Sequence, residues 1–202
     1  MKATEQLHNV GQSLWLDNIT RGLLTSGTLK RYIDTLSVTG LTSNPTIFDH
    51  AISNSAAYDE DIRAMTKSGA PGEDLFFRLA IADLQQAADL FRPIHDRTAG
   101  VDGWVSLEVS PLLAYDTQRT VEAASSLHAA AARPNLFIKI PGTKEGALAI
   151  EEAIFRGVPI NVTLLFSRDH YLTAAEAYMR DLERRIALGL ILRRPAVRRL
   201  LG

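Results

Sequence analysis

Hydrophobic residues gather into five short segments of the chain, each rich in Val, Ile, Leu, Phe or Thr and bounded by Gly, Pro, Asn or Asp. Segments of this length and composition are typical of buried β-strands. The predicted strands are SLWLDN (13–18), SVTGLTSN (37–44), GWVSLEVS (103–110), NLFIKIPG (135–142) and PINVTLLF (159–166).

Apolar residues recur every three or four positions in the connections between these strands, which predicts helices. In the last connection, Ser167 can cap the helix at its start and Gly189 can terminate it. Buried strands that alternate with helices predict an α/β fold with a parallel sheet, and no repeat or linker interrupts the expected single domain over 1–202. Helices are predicted at 72–91, at 116–133, in a segment closed by Gly157 and at 167–189, with several helices in the long connection 45–102.

Each predicted strand carries polar side chains in its C-terminal half, at positions of one parity and therefore on one face. Helices cover both faces of a doubly wound sheet, whereas the inward residues of a (β/α)8 barrel converge at the C-terminal mouth. The pattern therefore favours a TIM barrel. The residues concerned are Asp17, Thr42, Asn44, Ser106, Glu108, Lys139, Asn161 and Thr163.

Lys139 and Glu108 suggest chemistry, because a charged group inside an apolar run is costly unless it is paired or functional. Asp17 as a cap, Asn44 as a turn residue and Thr163 as a β-former each have a structural explanation as well. A neutral lysine amine can attack a ketone and form an iminium, which draws electrons from a neighbouring carbon–carbon bond as it breaks. Carboxylates at the same mouth can supply the proton transfers.

Composition narrows the classes of function. The 22 Lys and Arg against 23 Asp and Glu give a formal charge of -1, so no global field attracts nucleic acid or a membrane surface. The chain has no cysteine, and its five histidines lack the spacing of metal ligands. No stretch has the length and hydrophobicity of a signal peptide or a membrane helix. We therefore expect a cytoplasmic protein with no metal or other cofactor and with no nucleic acid or membrane partner.

Five motifs carry a resemblance to a known family. In order, LWLDN, GLTSNPTIF, VSLEVSPLLAYD, NLFIKIPGTKEG and INVTLLFS resemble the first five strand motifs of class I transaldolases, and the actinobacterial and plant-like branch looks nearest. The resemblance implies a sugar-phosphate substrate. A dihydroxyacetone unit would pass from fructose 6-phosphate or sedoheptulose 7-phosphate to an aldose phosphate in the pentose phosphate pathway, with Lys139 as the Schiff-base lysine.

The same resemblance implies roles for the other polar residues. Glu108 works through a water that it shares with Thr163, and Asp17 is the acid/base at the C4 hydroxyl. The sister fructose-6-phosphate aldolases share the lysine but differ at the position of Glu108, which favours transaldolase proper. The implied substrate-binding residues are Asn44 and Asn161, with Thr42 and Ser106 in support.

The family needs eight βα units, and the sequence after the fifth strand and its helix does not resemble a sixth. We therefore expect an incomplete TIM barrel of about five βα units. Its basic tail 190–202 indicates a truncation or a frameshift, and it lacks the serine–arginine pair that grips the substrate phosphate in the family. Exposed sheet edges favour self-association, and little or no turnover is expected. The alternatives are an inactive fragment that acts only as an interaction partner and an aldolase of unphosphorylated ketones.

Overall fold

A computed structural model describes residues 1–67, 69 and 72–190, and within them all five predicted strands are present. Each strand is shorter than its predicted segment, because the flanking Gly, Pro, Asn and Ser residues lie outside the strands, as do Val109 and residues 164–166. The strands are β1 (Leu14–Asp17), β2 (Val38–Thr42), β3 (Trp104–Glu108), β4 (Leu136–Pro141) and β5 (Ile160–Thr163).

The strand order separates two kinds of α/β sheet. Here the order is β1-β2-β3-β4-β5, the same as the order along the chain, and the pairs with an assigned register are parallel. A doubly wound sheet reverses its order at a switch point, whereas strands of a (β/α)8 barrel follow one another. The predicted α/β fold is confirmed, and the described residues are consistent with five βα units of a TIM barrel.

Helices occupy every connection between the strands. Those predicted from periodicity are confirmed, and the described residues of the long connection between β2 and β3 form three α-helices. None of the helices in the described part of the chain combines the length and hydropathy needed to cross a bilayer. The helices are α1 (Ala3–Asn9), α2 (Arg21–Thr25), α3 (Thr28–Leu36), α4 (Pro45–Ser53), α5 (Asp59–Lys67), α6 (Gly72–Arg97), α7 (Thr117–Ala131), α8 (Lys144–Phe155) and α9 (Arg168–Ala187).

Local signals in the sequence set the ends of the last two helices. The Oγ atom of Ser167 accepts a hydrogen bond from the backbone N–H of His170 at 3.1 Å and caps α9. Gly157 and Gly189 have φ angles of +83° and +64°, a left-handed conformation that strains any residue with a Cβ atom. Each glycine therefore lies where its helix gives way to a loop, as the sequence predicts.

The chain divides into two compact units. The first comprises Met1–Leu107 and Ala131–Asn135, and the second comprises Glu108–Ala130 and the described part of Leu136–Gly202. Each has buried aliphatic and aromatic side chains around its strands. The single domain over 1–202 stays a prediction, and its basic tail 190–202 lies, beyond Leu190, outside the described residues.

A buried polar network joins four segments of the first unit. Asp83 on α6 is fully buried and accepts hydrogen bonds from Arg21 Nε at 3.0 Å and from the hydroxyl of Tyr58 at 2.7 Å. Arg21 also pairs with Asp61 on α5, and its guanidinium lies 4.3 Å from the centre of the Tyr58 ring. The network ties the start of α2 to α5, α6 and the 3₁₀ turn Ala56–Tyr58.

In the second unit α8 packs against α9, and the buried residues of α9 are Ala174, Ala177 and Asp181. Within the part of the chain that the structure describes, neither carboxylate oxygen of Asp181 has a hydrogen-bond partner. Burial raises the pKa of this carboxyl to about 6, although Arg185 and Arg184 lower it. The ionised carboxylate is therefore a source of instability in this helix pair.

Replacing Asp181 with asparagine is expected to change how stability depends on pH. The folded chain binds this proton more tightly than the unfolded chain, because the folded pKa of about 6 lies above the ordinary 3.8. The contribution of this carboxyl to the free energy of unfolding is therefore greatest below the unfolded pKa and is lost as pH rises through the folded pKa. Asp181→Asn should remove this pH-dependent loss and add about 1–2 kcal/mol at neutral pH.

Urea unfolding on both sides of the folded pKa measures the effect. The matched control is Glu183→Gln, which alters an exposed carboxylate of the same helix and should keep the wild-type pH profile. A lower free energy of unfolding for Asp181→Asn at neutral pH would contradict the expectation.

Candidate active site

Asp17, Thr42 and Ser106 form one polar row across three strands of the first unit. Asp17 is the register partner of Thr42, and Thr42 is the partner of Ser106. Partners in neighbouring parallel strands point to the same face of the sheet. The Oγ atom of Ser106 donates a hydrogen bond to Thr42 Oγ1 at 3.0 Å. Asp17 is exposed and Ser106 is fully buried, so the row runs from solvent into the sheet.

An aromatic ring, that of Trp15, lies on the same face of the sheet, two residues before this polar row. Trp15 is the register partner of Gly40, two residues before Asp17 and Thr42 respectively. A Cβ atom on Gly40 would lie 2.5 Å from Cε2 of Trp15, so the indole lies directly over the glycine. Sequence parity placed Trp15 on the face of Asp17 but did not predict this contact. A glycine inside a strand, opposite a tryptophan, was the available signal.

Asn44 has a structural role in the first unit. Its Oδ1 atom accepts a hydrogen bond from the backbone N–H of Ile47 at 2.9 Å and caps α4, whose first residue is Pro45. This is the turn role that the sequence left open as an alternative. The cap uses the carbonyl oxygen alone, and the amide NH2 group keeps two donors that can serve a ligand.

An ion pair between Lys139 and Glu108 is the central feature of the second unit. The Nζ atom of Lys139 lies 3.0 Å from Oε2 of Glu108, and the two side chains are 11% and 17% exposed. The strands hold the pair in register, because the backbone N–H of Val109 donates to the carbonyl of Lys139 at 3.1 Å. A mostly buried ammonium group is tolerated here because a carboxylate accompanies it.

Asn161 and Thr163 lie on the neighbouring strand β5. Asn161 is the register partner of Lys139 and is buried, and Thr163 is the partner of Pro141, two residues further along. The Oγ1 atom of Thr163 is buried without a hydrogen-bond partner among the described residues. A buried hydroxyl without a protein partner commonly binds a water or a ligand.

Each unit thus gathers a subset of the eight residues that the sequence selected. In the first unit Asp17, Thr42 and Ser106 share a row and Asn44 caps a helix. In the second unit Lys139 meets Glu108, and Asn161 and Thr163 follow along β5. Among the described residues no three His, Cys, Asp or Glu side chains are grouped as metal ligands would be.

The Lys139–Glu108 pair can perform proton-coupled nucleophilic chemistry. A carboxylate 3.0 Å from the amine can take its proton directly or through one water, which leaves a neutral nucleophile. Phe137, two residues before Lys139 and therefore on the same face of β4, is fully buried, so an apolar side chain borders the lysine. Such a site is suited to adding an amine to a carbonyl group.

Comparison with known proteins places this geometry in context. Residues 14–191 match the family model described as Transaldolase/Fructose-6-phosphate aldolase. The chain is similar to the transaldolase of Saccharopolyspora erythraea, with 47% identity over 92% of this chain and 50% of that protein. It is 45% identical to the transaldolase of Thiobacillus denitrificans over 96% of this chain and 54% of that protein.

Transaldolase 2 of Nostoc punctiforme is 42% identical over 91% of this chain and 48% of that protein. The chain therefore spans about half the length of the curated relatives it matches. The matched region contains all five strands and every residue of the candidate site.

Proposed function

The chain belongs to the transaldolase/fructose-6-phosphate aldolase family, and we propose that it transfers a dihydroxyacetone unit from a ketose phosphate to an aldose phosphate through a Schiff base on Lys139. Fructose 6-phosphate and sedoheptulose 7-phosphate are the proposed donors, in the pentose phosphate pathway. The observation that carries the proposal is the Lys139–Glu108 pair, mostly buried on adjacent strands. A lysine in this setting is uncommon in a purely structural core.

The first half of the proposed reaction forms the iminium. Glu108 takes a proton from Lys139, directly or through a water, and the neutral amine attacks the C2 carbonyl of the ketose. Glu108 then returns a proton to the carbinolamine hydroxyl, which leaves as water. The buried hydroxyl of Thr163, which has no hydrogen-bond partner in the described part of the chain, supports a water position beside this path.

The second half breaks and remakes a carbon–carbon bond. Asp17 takes the proton of the C4 hydroxyl, the C3–C4 bond breaks, and its electron pair moves into the iminium to give an enamine. The aldose phosphate leaves, a second aldose phosphate accepts the enamine carbon, and Asp17 returns the proton to the new hydroxyl. Hydrolysis of the iminium then releases the product and frees Lys139.

Polar neighbours of these three residues would hold the donor hydroxyls. Thr42 accepts a hydrogen bond from the buried Ser106, so its own O–H remains a donor and Ser106 acts in support. The NH2 group of Asn44 and the buried amide of Asn161 are the other proposed contacts. Glu108 favours transfer over simple cleavage, because the resemblance associates a glutamate at this position with transaldolases.

The proposal also covers the location of the protein and its partners. It includes a cytoplasmic location and the absence of a nucleic acid partner, and a formal charge of -1 gives no global field that would attract nucleic acid. Self-association fits the strand order, in which β1 and β5 each have one neighbour among the described strands.

Borohydride trapping tests the proposed function. The chain is incubated with fructose 6-phosphate and reduced, its intact mass is measured, and the modified residue is located by peptide mapping. One adduct on Lys139 is expected, and it should survive in Lys144→Ala, which removes an exposed lysine three residues beyond β4. In a separate reaction without borohydride, fructose 6-phosphate and erythrose 4-phosphate together should yield sedoheptulose 7-phosphate.

Each other outcome selects an alternative. An adduct with cleavage but no transfer would identify an aldolase, and an adduct formed equally well with dihydroxyacetone would point to unphosphorylated ketones. An adduct spread over several lysines, or none at any substrate concentration, would overturn the proposal and favour a chain that acts only as an interaction partner.

A further inference from the structure

The chain turns at the end of β5, directly after a hydroxyl of the candidate active site. Leu164 has a φ angle of +60°, a left-handed conformation that costs free energy for a residue with a Cβ atom. We infer that Leu165, the next residue, holds this turn in place by packing over Gly142 and so positions the hydroxyl of Thr163. Leu165 is then a positioning residue for the chemistry on Lys139, and the inference rests on the proposed function for that chemistry.

The side chain of Leu164 does not explain the turn. Leu164 is 56% exposed, so burial of its own side chain is not what offsets the cost of the conformation. A strained backbone persists only where the surrounding structure fixes it. The residues on either side of Leu164 provide the fixing contacts, and both contacts are with Gly142.

Gly142 holds the two neighbours of Leu164 in different ways. Its backbone N–H donates a hydrogen bond to the carbonyl oxygen of Thr163 at 2.8 Å. A Cβ atom built on Gly142 would overlap Cδ2 of Leu165 and lie 3.5 Å from its Cγ, so the leucine side chain fills the space that a larger residue would need. Gly142 directly follows β4, the strand of Lys139. The glycine therefore joins the end of β5 to the end of the strand that carries the lysine.

The hydroxyl of Thr163 depends on this turn, because no hydrogen bond from the described residues fixes it. Its Oγ1 atom is buried and has no hydrogen-bond partner in that part of the chain. By contrast, the hydroxyl of Thr143 donates to the carbonyl of Ala114 at 2.6 Å and accepts from the N–H of Gly146 at 2.9 Å. Packing and the backbone of the turn are what set the position of Thr163 Oγ1.

A well-placed hydroxyl matters for the proposed proton transfers. The resemblance assigns a shared water to Thr163 and Glu108, and a water held by two groups stays within reach of the carbinolamine on Lys139. A displacement of about 1 Å at a reacting centre can lower a rate by about a hundredfold. Loss of the Leu165 side chain should therefore slow formation of the iminium and leave the binding of the ketose nearly unchanged.

Quenching with borohydride at successive times measures the rate of iminium formation. Leu165→Ala should lower the rate with saturating fructose 6-phosphate by about tenfold and keep the half-saturating concentration within about twofold of wild type. Thr163→Val, which replaces the hydroxyl with a methyl group, should lower the rate by at least as much. In the Thr163→Val background the further change Leu165→Ala should have no additional effect, because the hydroxyl that the leucine positions is already absent.

A second pair of variants tests the contact itself. Gly142→Ala alone should slow the reaction, because its methyl group displaces the side chain of Leu165. Gly142→Ala/Leu165→Ala should react about threefold faster than Leu165→Ala, because the new methyl group occupies part of the space that the leucine leaves. The matched control is Leu148→Ala, which shortens a 56% exposed leucine of α8 and should keep the wild-type rate.

The outcomes separate this inference from the proposed function. A wild-type rate in Leu165→Ala or in Thr163→Val, with the adduct still on Lys139, would overturn the inference and leave the Schiff base standing. Equal slowing by Leu165→Ala with and without the Thr163 hydroxyl would also overturn it, because the leucine would then act on the fold alone. No adduct in the wild type would overturn the proposed function and the inference with it. Leu165→Val gives the same comparison if the alanine variant does not fold.

Discussion

Methionine in place of Lys139 should abolish the borohydride-trapped adduct altogether while keeping the side chain nearly the same size. The amine is the only group in the proposed reaction that bonds to the substrate carbon, so its loss cannot be compensated by a neighbour. Intact mass spectrometry after reduction in the presence of fructose 6-phosphate measures the result. A persisting adduct in Lys139→Met would place the chemistry on another lysine and contradict the assignment.

The same substitution should also destabilise the chain, and this effect must be separated from the chemical one. Lys139→Met leaves the carboxylate of Glu108, whose side chain is 17% exposed, without its partner at 3.0 Å. The expected loss is about 1–3 kcal/mol in the free energy of unfolding. Lys139→Met/Glu108→Gln should recover most of that stability and still form no adduct, which distinguishes a missing nucleophile from a damaged fold.

The strands and most of the helices were predictable because their signals are local. Short runs of β-branched and aliphatic residues gave β1 to β5, and periodic apolar residues with Ser167 and Gly189 at the ends gave α9. The short helices α2 and α3 carry too few turns for periodicity to identify them. The polar row was predictable as well, since parity along a strand decides which residues share a face.

Contacts between distant segments were not predictable, because their partners are set by packing. The α9 sequence places Tyr171 and Ile186 in one periodic apolar set, yet both are exposed, while Ala174 and Ala177 are buried. Small side chains allow close approach of helices, which a hydrophobicity pattern does not register. The contact of Trp15 with Gly40 depends likewise on strand pairing that the sequence does not specify. The cap formed by Asn44 is local by contrast, because its donor is the backbone N–H of Ile47.

No sequence motif predicts the buried network around Asp83. We expect this network to make the largest single contribution to the stability of the first unit. Asp83→Ala should lower the free energy of unfolding by about 3–5 kcal/mol, because the hydroxyl of Tyr58 and the Nε atom of Arg21 lose their acceptor in a site from which water is excluded. Urea unfolding at neutral pH measures the change.

Burial raises the pKa of Asp83 above its ordinary value, although Tyr58 and Arg21 lower it. The charge itself therefore contributes less than the two hydrogen bonds. Asp83→Asn, which keeps one acceptor oxygen, should cost less than alanine, about 1–3 kcal/mol. Tyr58→Phe should cost about 1 kcal/mol and stay measurable even if the alanine variant does not fold.

Asp34 supplies the matched control for this network. Its ion pair with Lys30 at 2.7 Å is exposed, so Asp34→Ala should change the free energy of unfolding by less than about 0.5 kcal/mol. Equal losses for Asp83→Ala and Asp34→Ala would show that burial gives the network no special weight. The network also bears on the proposed role of Asp17, because Arg21 begins α2 four residues after Asp17 and its backbone N–H donates to the hydroxyl oxygen of Tyr58 at 3.0 Å. Loosening it in Tyr58→Phe should therefore slow the cleavage step assigned to Asp17 more than it slows formation of the adduct on Lys139.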